Sequence, residues 1–127
     1  MRGEMRSLTD AELKRFDHVP GTDALRARIL LVPFLQPGTA GMTLGRVVLL
    51  RRDRADDEGL LAHELVHVRQ WRERGVVGFL VRYLADYLRG LVRLRSHRKA
   101  YLAIPAEQEA RRLAGSWTAR RRRPPPP

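Results

Sequence analysis

The sequence predicts a small α+β domain, and three observations carry that prediction. Two short stretches, residues 29–32 and 43–50, the latter apolar throughout 47–50, are joined by a Gly- and Pro-rich loop and read as strands. Three longer segments, 53–74, 76–94 and 105–114, carry helical starts, stops or periodicity. The chain has 127 residues, which suits one domain. The expected architecture is a short β-hairpin or sheet packed on the helix of 53–74, with two further C-terminal helices.

The elements are justified in chain order. Thr9-Asp10-Ala11-Glu12 is a capping box, with Thr9 as N-cap and Glu12 at N3, opening a short helix to about Phe16. Pro20-Gly21 ends it as a turn. Residues 29–32 form a buried strand edged by Pro33. The Gly- and Pro-rich stretch 36–41 then connects it to a second strand at 43–50, giving a hairpin. Asp53, Asp56, Asp57 and Glu58 place negative charge where the positive end of a helix dipole favours it. That helix runs to about Arg74 and stops at Gly75.

Residues 76–94 are strongly apolar. Their charges, Arg82, Asp86, Arg89 and Arg93, recur in one helical stripe. This is an amphipathic helix rather than a membrane span, because a charge at its centre is costly in lipid. A chain of this length is expected to turn the apolar face of that helix into its own core. Residues 95–101 read as a basic link. Pro105 suits the first position of a last helix, 105–114, stopped by Gly115. Three regions follow: an N-terminal segment 1–24, a domain 25–117, and a disordered basic and proline-rich tail 118–127.

Composition narrows the chemistry. There is no cysteine, which excludes disulfides, thiolate nucleophiles and Cys-based metal sites. The start of the chain shows no apolar signal region, so the expected location is the cytoplasm, with peripheral membrane association as a variant. The net charge is +11. It lies wholly in residues 69–127, since residues 1–68 hold ten basic and ten acidic side chains. Such asymmetry fits a solvated arginine-rich surface, or a partner that is nucleic acid or anionic membrane.

The segment that carries chemistry is His63-Glu64-Leu65-Val66-His67. On a helix, residues i and i+4 share a face, so both imidazoles can hold one metal ion. Glu64, about 100° round the helix, can reach a water on that metal without ligating it. H-E-x-x-H is the pattern of two zinc ligands and a general base. Zinc accepts imidazole and carboxylate in tetrahedral geometry and leaves one position for water. A third ligand is needed. Glu73 is too close on the same helix, and Asp86 belongs to its own polar stripe. Glu107 and Glu109 remain, on the helix opened by Pro105, and only one of them can face the metal. Glu107 would sit near N3, where the helix dipole keeps a carboxylate ionised.

His63-Glu64-Leu65-Val66-His67 followed by Glu107-Gln108-Glu109-Ala110 resembles the gluzincin zinc metallopeptidases, nearest in size to the minimal members called minigluzincins. The resemblance spans residues 42–115. It implies a zincin-like fold, one Zn2+ per chain on His63, His67 and Glu107, and peptide hydrolysis with Glu64 as base and acid. The family's downstream helix often reads Glu-x-x-Ala-Asp. Arg111 stands at the Asp position here, so support for a ligand histidine must come from elsewhere. In zincins a substrate also pairs with an exposed strand edge, which residues 43–50 would supply.

Several assignments complete the expectation. Tyr101 is the first candidate to stabilise an oxyanion, with Tyr83, Tyr87 and His97 behind it. Trp71 lines the motif's face as wall or core filler. Asp10, Asp17, His18 or Asp23 could ligate zinc in a latent form covered by residues 1–24. The chain is expected to act as a monomer on a peptide or protein substrate. The competing reading is a non-catalytic basic module for nucleic acid or anionic membrane, with a structural or vestigial zinc site.

Overall fold

The computed structural model describes residues 5–122. They form a small α+β domain. In chain order it runs α1 (Asp10–Arg15), α2 (Gly21–Arg26), β1 (Arg28–Val32), β2 (Gly41–Leu44), β3 (Val47–Arg51), a 3-10 turn (Arg52–Arg54), α3 (Glu58–Arg74), α4 (Val76–Leu94), α5 (His97–Ala103) and α6 (Pro105–Arg122).

The sheet has strand order β1-β3-β2. β1 runs parallel to β3, and β2 antiparallel to it. The hairpin therefore spans 41–51, with its turn inside 43–50 where a single strand was expected, and residues 29–32 are not its partner arm. Gly45 adopts φ 64°, which glycine reaches without steric cost. It closes a two-residue turn between the paired Leu44 and Val47. The longer 33–40 connection then lets β1 lie parallel on the far side of β3. The outer edge of β1 is bonded to Arg6 through two backbone hydrogen bonds of 2.9 and 2.8 Å, which leaves β2 as the open edge.

The capping box of α1 forms as expected: Thr9 Oγ1 accepts from Glu12 N–H, and Glu12 accepts from Thr9 N–H. Pro20-Gly21 starts α2 rather than ending a helix in a turn. α3 is capped by Asp57, whose side chain accepts from Leu60 N–H at 2.9 Å, and ends at Gly75 with φ 73°. The expected basic link 95–101 is mostly α5, opened by the Ser96 hydroxyl accepting from Lys99 N–H. α6 passes through Gly115 and continues to Arg122, so residues 118–122 of the expected tail are helical. The remainder of that tail lies outside the described residues.

One core lies between the sheet, α3 and α6, built on Ile29, Val48, Leu50, Leu65, Val66 and Trp117. Leu8, Phe16, Val19 and Ala24 of the N-terminal segment belong to the same cluster. Phe16 stacks on Trp117 at 4.8 Å, and Trp117 Nε1–H donates to the Arg15 carbonyl at 2.8 Å. A second, smaller cluster joins Trp71, Phe79, Ile104 and Ala106 at the far end of α3.

α4 departs most from expectation. Its buried residues are Phe79 and Asp86, while Val77, Val81, Leu84, Leu88 and Val92 face outward. Of the charged stripe only Asp86 is buried, paired with Arg82 and Arg89 of the same helix, whose side chains stay exposed. Gly90 allows contact with α5: a Cβ there would lie 3.2 Å from Ala100 Cα. No described helix is long and apolar enough to cross a membrane.

Candidate metal centre

His63 and His67 are one turn apart on α3, as their spacing requires, with ring centroids 5.0 Å apart. α6 crosses α3 and brings Glu107, the third residue of its first turn, against them. The Nε2 atoms of both histidines lie 3.1 Å from Glu107 Oε1. One ligand atom from each of the three residues falls within 4.8 Å of the others. Two imidazoles and a carboxylate converging on one point, with His67 and Glu107 buried and His63 partly open, form a donor set that could hold a metal ion.

Electrostatics follow from the packing. Burial alone would raise the Glu107 pKa. Bonds from His63, His67 and Tyr83 outweigh it and hold the carboxyl well below the usual range. Burial opposes charge on His67, yet Glu107 and Gln70 outweigh burial and raise its pKa. Glu64 is pushed up, chiefly by burial, with partial relief from His67, His63 and Thr43.

Glu64 is not among the converging ligand atoms. It points to β2, where Thr43 Oγ1 donates to Glu64 Oε1 at 2.8 Å. Gly41 makes the approach of β2 possible. A Cβ there would lie 3.1 Å from Leu60 Cδ1 and 3.3 Å from Glu64 Cγ.

Gln70 supports His67 in the place where the resemblance leaves a gap. His67 Nδ1–H donates to Gln70 Oε1 at 2.7 Å, which orients the ring with Nε2 toward Glu107. The amide nitrogen of Gln70 donates to the Ala106 carbonyl at 3.0 Å and to Glu109 Oε1 at 2.7 Å. Glu109 also pairs with Arg69, so it serves the support and stays out of the cluster. Arg111 donates instead to the Leu102 carbonyl. Gln70 lies three residues after His67 on one helix face, a spacing legible in the sequence but not weighed there.

Of the tyrosines, Tyr83 makes the direct contact, its hydroxyl donating to Glu107 Oε2 at 2.7 Å. Tyr101 is more exposed; partial burial and the Glu107 charge push its phenol up. Tyr87 and His97 bond each other at 2.7 Å. Trp71 stacks on Phe79 at 4.4 Å, and Phe79 meets the His67 ring edge-on at 6.5 Å, so this pair walls the site.

The latent-ligand residues are engaged elsewhere. His18 Nε2–H donates to the Ala62 carbonyl at 2.8 Å, and buried Asp23 pairs with Arg72. Asp17 faces Arg120, and Asp10 lies exposed in the first turn of α1.

A family model described as the eCIS core domain matches residues 33–75, less than half of the chain. The match takes in β2, β3 and α3, hence His63, Glu64, His67 and Gln70, and ends before Glu107. No curated protein and no solved structure matches the chain.

Proposed function

We propose that this domain is a zinc-dependent peptidase of gluzincin type. The observation that carries the reading is the convergence of His63 and His67 Nε2 on Glu107 Oε1, with Glu64 held one residue along α3. Zinc bound there would supply a Lewis acid and bring the pKa of a water toward neutrality.

The chain's own residues then have separable tasks. Glu64 takes a proton from the attacking water and delivers it to the leaving nitrogen. Its burial, with one oxygen bonded by Thr43, suits a carboxylate that must change protonation state, because a raised pKa eases the return to the acid form. Gln70 holds His67 in one tautomer. The phenol of Tyr101, partly exposed beside Glu107, is the donor we assign to the developing oxyanion. Tyr83 is committed to Glu107 and positions that ligand. The open edge of β2 offers backbone groups to an extended peptide beside Glu64.

Glu64→Gln separates this reading from a purely structural metal site. The variant should retain zinc and lose hydrolysis of an unstructured peptide library by about 100-fold or more, the range of a general base. Equal turnover by native chain and variant would overturn the mechanism.

A further inference from the structure

The outward face of α4 is the largest feature that the metal centre leaves unexplained. Val77, Leu84 and Val92 are 74%, 56% and 77% exposed, with Val81 and Leu88 between them. At ~100° per residue these five side chains fall on one side of the helix, and Asp86 and Phe79 fall on the other. Residues 77 to 92 make a stripe about 22 Å long at 1.5 Å per residue. A contiguous apolar surface of this kind marks an interaction site.

The helix cannot roll to hide the stripe. Phe79 stacks on Trp71, Tyr83 bonds Glu107, Asp86 is bonded by Arg82 and Arg89 at 3.1 and 3.0 Å, and Gly90 lies against Ala100. The contacts of Phe79, Tyr83 and Gly90 reach α3, α6 and α5 and fix the inward side, while the Asp86 pairs lie within α4 itself.

The charge around the stripe selects its partner. Arg82, Arg89 and Arg93 line one flank, and Arg95, Arg98 and Lys99 continue from the C-terminal end, all exposed. Asp86 is the one acidic residue between positions 76 and 104, and it is buried. The surface is therefore a convex aliphatic ridge beside a cationic rim with no exposed carboxylate of its own. Guanidinium forks match phosphate oxygens. A ridge of Val and Leu has no partner in nucleic acid, where bases stack on aromatic side chains. Two copies joined ridge to ridge would bring like-charged rims together.

We propose that α4 lies on an anionic phospholipid surface, its aliphatic ridge in the headgroup–acyl boundary and its arginines on the phosphates. This is the arrangement of an interfacial amphipathic helix, which rests on a membrane without spanning it. It does not depend on hydrolysis at the metal centre.

The test is co-sedimentation of the full chain with vesicles of phosphatidylcholine, alone or mixed with phosphatidylglycerol. The native chain should pellet with the mixed vesicles and far less with phosphatidylcholine alone, and added salt should weaken the binding. The double variant Leu84→Gln, Leu88→Gln keeps good helix formers at exposed positions and should reduce partitioning by at least ~10-fold, since interfacial binding scales with buried apolar area. Circular dichroism and zinc content confirm that the variant is folded. Three outcomes would overturn the proposal: no pelleting of native chain with anionic vesicles, unchanged pelleting of the double variant, or a native dimer in gel filtration that the double variant converts to monomer. Unchanged pelleting would assign lipid binding to other arginines, and the dimer would assign the ridge to a second copy.

Discussion

Gln70 Oε1 accepts the Nδ1–H of His67 at 2.7 Å while the same amide donates to the Ala106 carbonyl and to Glu109. One side chain thus ties His67 on α3 to the first turn of α6, which carries Glu107. Removing such a support costs a metal site about 10–100-fold in affinity. Gln70→Ala should weaken zinc binding by that amount in chelator competition. Equal affinity of native chain and Gln70→Ala would remove this role from Gln70.

The choice between the two glutamates of α6 has a direct measurement. Zinc per chain, read by plasma mass spectrometry, should fall to background in His63→Ala and Glu107→Ala. It should persist in Glu109→Ala, whose carboxylate is engaged by Arg69 and Gln70. Loss of zinc only in Glu109→Ala would invert the assignment.

Gly41 controls the distance between β2 and Glu64. Gly41→Val places a branched side chain where even a Cβ meets Leu60 and Glu64 at 3.1–3.3 Å. Zinc content should be unchanged, since no ligand lies on β2. Peptide hydrolysis should fall by about 10-fold or more, as small displacements of catalytic groups do. Unimpaired hydrolysis would separate β2 from the reaction.

Trp117 joins the two ends of the described chain. It is 3% exposed, stacks on Phe16 and donates to the Arg15 carbonyl. Trp117→Ala should cost about 3–5 kcal/mol in urea unfolding. Trp117→Phe keeps the stack and loses the hydrogen bond, so a cost nearer 1 kcal/mol is expected. A near-zero cost for Trp117→Ala would mean that α1 and α6 do not share a folding unit.

His18 gives the fold a pH dependence. Burial lowers its pKa from the ordinary 6.5, against the raising effect of the Ala62 carbonyl and Asp17, while Arg120 and Arg69 add to the lowering. Its Nδ1 is buried with no hydrogen-bond partner, so a proton there gains no bond. The unfolded chain therefore binds that proton more readily. The His18 contribution is present above about pH 6.5 and is lost as pH falls through the lowered folded pKa. His18→Gln, which can still donate to Ala62, should show a smaller fall in melting temperature between pH 7 and pH 5, values bracketing the ordinary imidazole range. Parallel curves for the two proteins would exclude the effect.

Much of the site was legible because its signals are local. The i, i+4 pair His63 and His67 needs only a helix to share a face. The acidic start at Asp57 and the stop at Gly75 predict that helix. Pro105 opening the last helix narrowed the third residue to Glu107 or Glu109, and the family resemblance pointed to Glu107. The support by Gln70 was also within reach as an i+3 neighbour of His67. Its second half was not, because Ala106 and Glu109 meet it only when α6 crosses α3. The hairpin was misplaced for a related reason: 43–50 reads as one strand, and the turn within it depends on Gly45 taking a positive φ.

The sequence by itself determined the helices with strong start and stop chemistry, the shared face of His63 and His67, and the excess of arginine after residue 68. Tertiary structure alone decided which way α4 turns. Amphipathic periodicity states which side chains share a face but not which face meets the protein. That choice came from Phe79 against Trp71, Tyr83 bonded to Glu107, and Gly90 against Ala100. The same packing that completes the metal centre leaves the aliphatic ridge of α4 facing outward.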